Sequence, residues 1–201
     1  MICISFSKPT VEQFLLNHPE VKMIELRLDL MEIDTEQLSR FFSLPVDIIA
    51  TCRKNGQMTE NERLMLLRQC ISLGARYIDI EIESGNEFIS SLKEFAVKHD
   101  CKLIVSYHNA EKTPSLPQLN EIAEKCQAEQ ADIVKIVCMI KSKQDISRIK
   151  SLYTKEYPII AIGMGNKGVI TRIKACEWGA PFTYFAARTE DATAPGQIGY
   201  E

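Results

Sequence analysis

Asp132-Ile133-Val134-Lys135-Ile136-Val137 sets a lysine inside an otherwise apolar run. The run is too short for a helix and too rich in β-branched residues for a loop. It reads as a strand buried on both faces, the kind found in parallel sheets. Taking an ammonium out of water costs several kcal/mol unless it is partnered. Burial also favours the neutral amine, whose lone pair attacks carbonyls. Two readings of Lys135 stand on this: an imine-forming nucleophile, or a structural ion pair with Glu81 or Asp79.

Seven more runs of the same kind surround it: Ile2–Phe6, Met23–Leu30, Val46–Thr51, Tyr77–Ile82, Lys102–Tyr107, Ile159–Ile162 and Phe182–Ala187. Amphipathic helical segments lie between them at Thr10–Leu16, Thr35–Phe42, Glu60–Leu73, Asn86–Lys98, Pro117–Gln127, Lys143–Leu152 and Lys167–Trp178. Glu60–Leu73 is the clearest, with Leu64, Leu67 and Ile71 on one face and Gly74 beyond its end. Asp34 fits an N-cap and Ser115-Leu116-Pro117 a proline-initiated helix start.

Strand and helix in strict alternation predict parallel crossovers. The fold class is α/β: a (β/α)8 TIM barrel with minimal loops, formed by residues 1–201 as a single catalytic domain. An open doubly wound sheet is the alternative. The chain stops at Gly199-Tyr200-Glu201, so the eighth helix is missing. That leaves apolar outer positions of the eighth and first strands uncovered. A trimmed chain is the favoured explanation, over a lost fused domain or an oligomer that covers the gap.

Composition narrows the partners. With 24 Lys and Arg against 27 Asp and Glu, the net charge is −3 and no block of like charge stands out, which argues against a nucleic-acid or membrane surface. No apolar run approaches the roughly 18 residues of a membrane span, and the N-terminus lacks a charged-then-apolar leader. A cytoplasmic location is expected. The seven cysteines show neither a C-x-x-C pair nor zinc spacing, so they read as reduced packing residues and no metal is expected.

In a parallel barrel, polar groups at the carboxyl ends of strands face a common mouth. That places Glu25 and Arg27 on the second strand, Arg53 past the third, and Asp79 and Glu81 on the fourth. His108 follows the fifth strand, Lys135 lies on the sixth and Met164 follows the seventh. Arg172 falls early in the last helix, and Thr193 to Gln197 form the loop after the eighth strand. Lys135 and His108 on neighbouring strands join an amine nucleophile to an imidazole base, the pair needed to remove a proton next to an imine. Arg53, Arg172 and Gln197 suit a carboxylate substrate, arginine's planar fork matching it bidentately. Gly163-Met164-Gly165-Asn166-Lys167-Gly168 follows the seventh strand, the wrong place for a dinucleotide fingerprint. The glycines are expected to bring backbone close to a small ligand.

Glu25-Leu26-Arg27-Leu28-Asp29, Ala50-Thr51-Cys52-Arg53, Tyr77-Ile78-Asp79-Ile80-Glu81 and Ser106-Tyr107-His108-Asn109 carry a resemblance, joined by Thr113-Pro114, Ala131–Ile136, Gly168–Ile173 and Ala194-Pro195-Gly196-Gln197-Ile198. Over nearly its whole length the chain resembles type I 3-dehydroquinate dehydratase. The resemblance implies a barrel, expected as a homodimer, that dehydrates 3-dehydroquinate to 3-dehydroshikimate in the shikimate pathway. It makes Lys135 the imine-forming residue and His108 the general acid and base. It makes Arg172 the carboxylate clamp and gives substrate contacts to Glu25, Arg27, Arg53, Thr193 and Gln197. Met164 and Tyr184 become apolar walls, and neither metal nor organic cofactor is needed. One departure stands out: the loop after Arg53 carries Gln57 where the family often has a glutamate that orients the histidine. Either Gln57 or Glu60 takes that role or the histidine's poise differs, and the role stays unassigned. Rival readings are a class I (Schiff-base) aldolase and a non-catalytic barrel domain of a larger protein.

Overall fold

Strand period two sorts this chain into layers. A computed structural model describes residues 1–201. In chain order the elements are β1 (Ile2–Phe6), α1 (Val11–Asn17), β2 (Met23–Arg27), α2 (Thr35–Phe42), β3 (Asp47–Thr51), α3 (Glu60–Ser72), β4 (Tyr77–Glu81) and α4 (Asn86–Val97). They continue with β5 (Lys102–Asn109), α5 (Leu116–Ala128), β6 (Ile133–Met139), α6 (Lys143–Ser151), β7 (Ile159–Met164), α7 (Val169–Trp178) and β8 (Thr183–Ala186). Every strand pairing is parallel, in the order β7-β6-β5-β4-β3-β2-β1-β8. The fold is a nearly closed (β/α)8 TIM barrel with the eighth helix missing.

Alternation along each strand gives two cores. Ile133 and Val137 of β6 join Met23, Ile49, Ile104 and Ile160 inside the barrel. Val134, Ile136 and Cys138 face outward with Leu26, Ala50 and Ile80, against the helices. Lys135 and Glu25 therefore fall on the interior face by register alone. Asp34 caps α2 by accepting the Gln37 N–H at 2.8 Å, and the Thr59–Glu62 capping box starts α3.

Three strands end two residues or more away from expectation. β2 stops at Arg27 because the Leu30 N–H turns back onto the Arg27 carbonyl at 2.9 Å. β5 and β7 run further than expected, so His108 and Met164 lie on strands, not after them.

β7 and β8 do not pair. On the β7 side, the Tyr153 hydroxyl donates to the Ala161 carbonyl at 2.6 Å and accepts the Ala161 N–H at 3.0 Å. The Gly163 N–H donates to Thr171 Oγ1 at 2.6 Å. On the β8 side, the Ala186 N–H donates to the Ile198 carbonyl at 2.8 Å, and the Tyr200 N–H to the Ala186 carbonyl at 2.9 Å. Side chains and the last few residues thus take the backbone groups that a closed ladder would use. The segment 198–200 also occupies part of the ground left by the absent helix, with Tyr200 against Phe14.

The glycines of residues 163–168 serve this seam and are not among the residues lining the cleft at the mouth. A Cβ on Gly168 would lie 2.6 Å from the Gly163 carbonyl carbon, so the pair lets α7 close onto β7. Gly196, at φ +73°, packs so tightly that a Cβ would sit 2.4 Å from the Gly165 oxygen. The Gly165 N–H donates to the Pro195 carbonyl at 2.8 Å, tying the loops after β7 and β8 together.

Candidate active site

The carboxyl ends of the strands open into a cleft of about 310 Å³. Glu25, Arg27, Arg53, His108, Lys135, Met164, Arg172, Tyr184, Thr193 and Gln197 all line it. The troughs between α3 and α4 and between α4 and α5 are solvated and gather no comparable set of reactive groups.

Lys135 sits at the floor, 4% exposed. It is not the isolated amine that its apolar flanks suggest. Its Nζ donates to Asp79 Oδ2 at 2.8 Å and lies 3.6 Å from Glu25 Oε1. Tyr184, expected as an apolar wall, presents its ring face to the same nitrogen, 3.9 Å from the centroid. An aromatic face at that distance attracts a cation. The ion pair and the open cleft coexist at Lys135, so the two readings of this residue are not exclusive.

Glu25 is clamped from both sides. Ser5 Oγ donates to Oε2 at 2.7 Å and Thr51 Oγ1 to Oε1 at 2.9 Å. Burial alone would raise its carboxyl, but Lys135 and Arg27 hold it below the usual range. Asp79, wholly enclosed, also stays anionic: burial opposes ionisation, but Arg53 and then Lys135 outweigh it.

Register puts Ser106 beside Lys135 and His108 two residues further toward the mouth on the same face of β5. Strand spacing and rise separate the backbones of His108 and Lys135 by about 8 Å, within reach of both side chains. The imidazole is open at the mouth and bonds to no protein group. Partial desolvation by the surrounding strand ends, followed by the positive charges of Arg53 and Lys135, pushes its pKa well below the ordinary histidine value. Gln57 and Glu60 do not reach it. Gln57 is exposed and pairs with Asn55 at 3.3 Å, and Glu60 is exposed at the start of α3.

The arginines divide into tethered and free. Arg27 is held bidentately by Asp29, at 3.0 Å through Nε and 2.8 Å through Nη2. Arg53 pairs with Asp79 at 3.0 Å and donates to Ser106 Oγ at 2.8 Å. Arg172 is 2% exposed, has no carboxylate partner, and keeps its Nε without any hydrogen bond. Its Nη1 reaches only the Tyr184 carbonyl, at 3.4 Å. Burial pushes its pKa down to about 10. A guanidinium buried this way is costly unless an anion joins it. Across the cleft, Gln197 Oε1 accepts from the Thr193 N–H at 2.8 Å and from Thr193 Oγ1 at 3.0 Å, leaving the Gln197 NH2 to donate elsewhere.

The family model described as "Type I 3-dehydroquinase" matches residues 2–201. The chain belongs to the type I 3-dehydroquinase family. A 3-dehydroquinate dehydratase of Desulfotalea psychrophila is 35% identical over 98% of this chain and 92% of its own length. One from Methanococcus vannielii is 36% identical over 98% and 94%. The crystal structure of the Aquifex aeolicus 3-dehydroquinate dehydratase superposes with a TM-score of 0.84 at 27% identity, covering 99% of this chain and 93% of that one.

Within this type I 3-dehydroquinase fold, sequence reasoning missed Ser5, Ser106 and Arg63. The first two are small hydroxyl residues in apolar strands, and nothing in their pattern sets them apart from packing serines. Arg63, 1% exposed on α3, donates to the Cys52 carbonyl at 2.9 Å and to Glu81 at 3.2 Å, bracing the turn that carries Arg53. The one available signal was an arginine on the apolar side of α3. Six of the seven cysteines are buried and all are free. No group of three His, Cys, Asp or Glu side chains converges as metal ligands would, and no helix is long and apolar enough to cross a membrane.

Proposed function

We propose that this chain is a hydro-lyase that dehydrates 3-dehydroquinate to 3-dehydroshikimate through an imine on Lys135, with His108 as general acid and base. One observation carries the reading: a floor-level lysine amine shares a cleft with a histidine and with a buried guanidinium, Arg172, that lacks an anionic partner. A keto acid supplies a carbonyl for the first and a carboxylate for the last.

In this reading Nζ gives up a proton to His108 and adds to the C3 ketone carbon. The carbinolamine oxygen takes that proton back from His108 and leaves as water, giving a cationic iminium that serves as an electron sink. His108, neutral near neutral pH, takes the C2 proton and the electron pair moves toward nitrogen as an enamine. That pair then forms the C1–C2 double bond while the C1–O bond breaks, and the proton held by His108 departs with the hydroxyl as water. Hydrolysis of the imine returns the amine and the conjugated enone. Arg172 holds the carboxylate. Arg53, Arg27, Glu25, Thr193 and Gln197 bind carboxylate and hydroxyl groups, and Met164 packs on the ring.

Borohydride reduction with 3-dehydroquinate present, read by peptide mass spectrometry, tests the assignment. An adduct on Lys135 is expected, and one on another lysine would overturn the role. Absorbance of the enone separates a lyase from a non-catalytic barrel, and a need for a phosphorylated substrate would point to an aldolase. The family resemblance further carries a homodimer working in the cytoplasm, which sedimentation and fractionation test.

A further inference from the structure

Asp79 does not line the cleft, yet it touches two of the cations that do. Its side chain is completely buried on β4. Oδ2 accepts from Lys135 Nζ at 2.8 Å, and Oδ1 lies 3.0 Å from Arg53 Nη2. Ser106 closes the figure: its Oγ donates to Asp79 Oδ1 at 2.6 Å and accepts from Arg53 Nη1 at 2.8 Å. Four groups from β4, β5, β6 and the turn after β3 are thereby fixed relative to one another by short, charge-assisted bonds.

We infer that Asp79 is a positioning residue for the dehydration: one carboxylate sets the Lys135 amine and the Arg53 guanidinium at a fixed separation, and Ser106 locks that setting. The inference rests on the imine reading above. A buried ion pair is weak grounds for stability by itself. Here, however, both cations open onto the cleft while the anion stays behind them, the layout of a support for reactive groups. Asp79 remains ionised, so it anchors the amine and does not carry its proton. A displacement of about 1 Å at a reacting atom costs on the order of 100-fold in rate.

The test is the rate of borohydride trapping on Lys135 with 3-dehydroquinate, beside the pH profile of kcat/KM. Asp79→Asn is expected to slow trapping about 100-fold. The charges facing His108 are Arg53 past β3, Lys135 on β6, Arg27 on β2 and Asp79 on β4, with Glu81 lining the same cleft. Asp79 is the one that raises the imidazole pKa, so its loss moves the acid limb to lower pH. A merely structural defect would shrink activity without moving that limb. Asp79→Glu restores the charge and the limb but still traps slowly. Should the asparagine variant fail to fold, Ser106→Ala keeps every charge and is expected to trap about tenfold slower with the limb unmoved. Trapping at the wild-type rate in either folded variant overturns the inference. If the unaltered protein gives no Lys135 adduct, the imine reading itself falls.

Discussion

Replacing Arg172 by methionine should make the ligand-free protein more stable while it impairs the enzyme. The two side chains are similar in length, so the change removes a charge more than a shape. What is lost in the free protein is one long bond, Nη1 to the Tyr184 carbonyl at 3.4 Å, worth about 1 kcal/mol. What is relieved is a guanidinium only 2% exposed, with an unbonded Nε and no carboxylate beside it. Exchanging a poorly compensated buried charge for apolar contact gains about 2–3 kcal/mol. The net is about 1–2 kcal/mol in favour of the variant, which for a chain of this size raises Tm by about 3–6 °C. Substrate binding loses a charge-assisted carboxylate contact worth about 3 kcal/mol, so kcat/KM falls on the order of 100-fold. Thermal unfolding without ligand and steady-state enone absorbance read the two halves. A variant that melts several degrees lower with an unchanged KM would make Arg172 a strut for β8, and the carboxylate assignment would be lost.

Three further outcomes follow from the geometry. His108→Ala should abolish turnover yet still trap ligand on Lys135, and undiminished turnover would remove it as the base. Because desolvation and then Arg53 and Lys135 depress the His108 pKa below 6.5, the imidazole stays neutral at pH 6.5 and the acid limb of kcat/KM should lie lower. Arg53→Met removes one depressing charge and should move that limb upward, and a downward shift would contradict the electrostatics. Gly196→Ala forces a Cβ to within 2.4 Å of the Gly165 oxygen at φ +73°, so it should cost about 1–3 kcal/mol of stability. It should also raise KM by displacing Thr193 and Gln197, as kinetics beside a melting curve would report.

Much of the cleft was readable before any coordinates, because period two forces a residue's face. Ile133, Lys135 and Val137 must share a side of β6, and a lysine there lies inside the barrel. The same rule brought Glu25 and Arg27 in from β2. What the pattern could not supply was partnership between strands. Asp79 meets Lys135 across two intervening registers, and Ser106 bonds them to Arg53, none of which leaves a mark on any one stretch of chain. Strand ends were misjudged where a turn competes with pairing, as at Leu30, or where an exposed residue such as His108 still belongs to a ladder. The glycines after β7 looked like a ligand cradle because close approach and ligand approach have the same signature. Only the packing of Gly163 on Gly168 decides between them.

A ring cut at one place is a ribbon with two ends, and ends invite additional strands from other molecules. Along β7 that invitation is withheld by the Tyr153 phenolic oxygen, which takes both the N–H and the carbonyl of Ala161, and by Thr171 Oγ1, which takes the Gly163 N–H. Losing the tyrosine oxygen would leave both Ala161 backbone groups unpaired inside a strand that is buried throughout. Tyr153 therefore satisfies the open edge of the barrel from a position remote from any chemistry in the cleft.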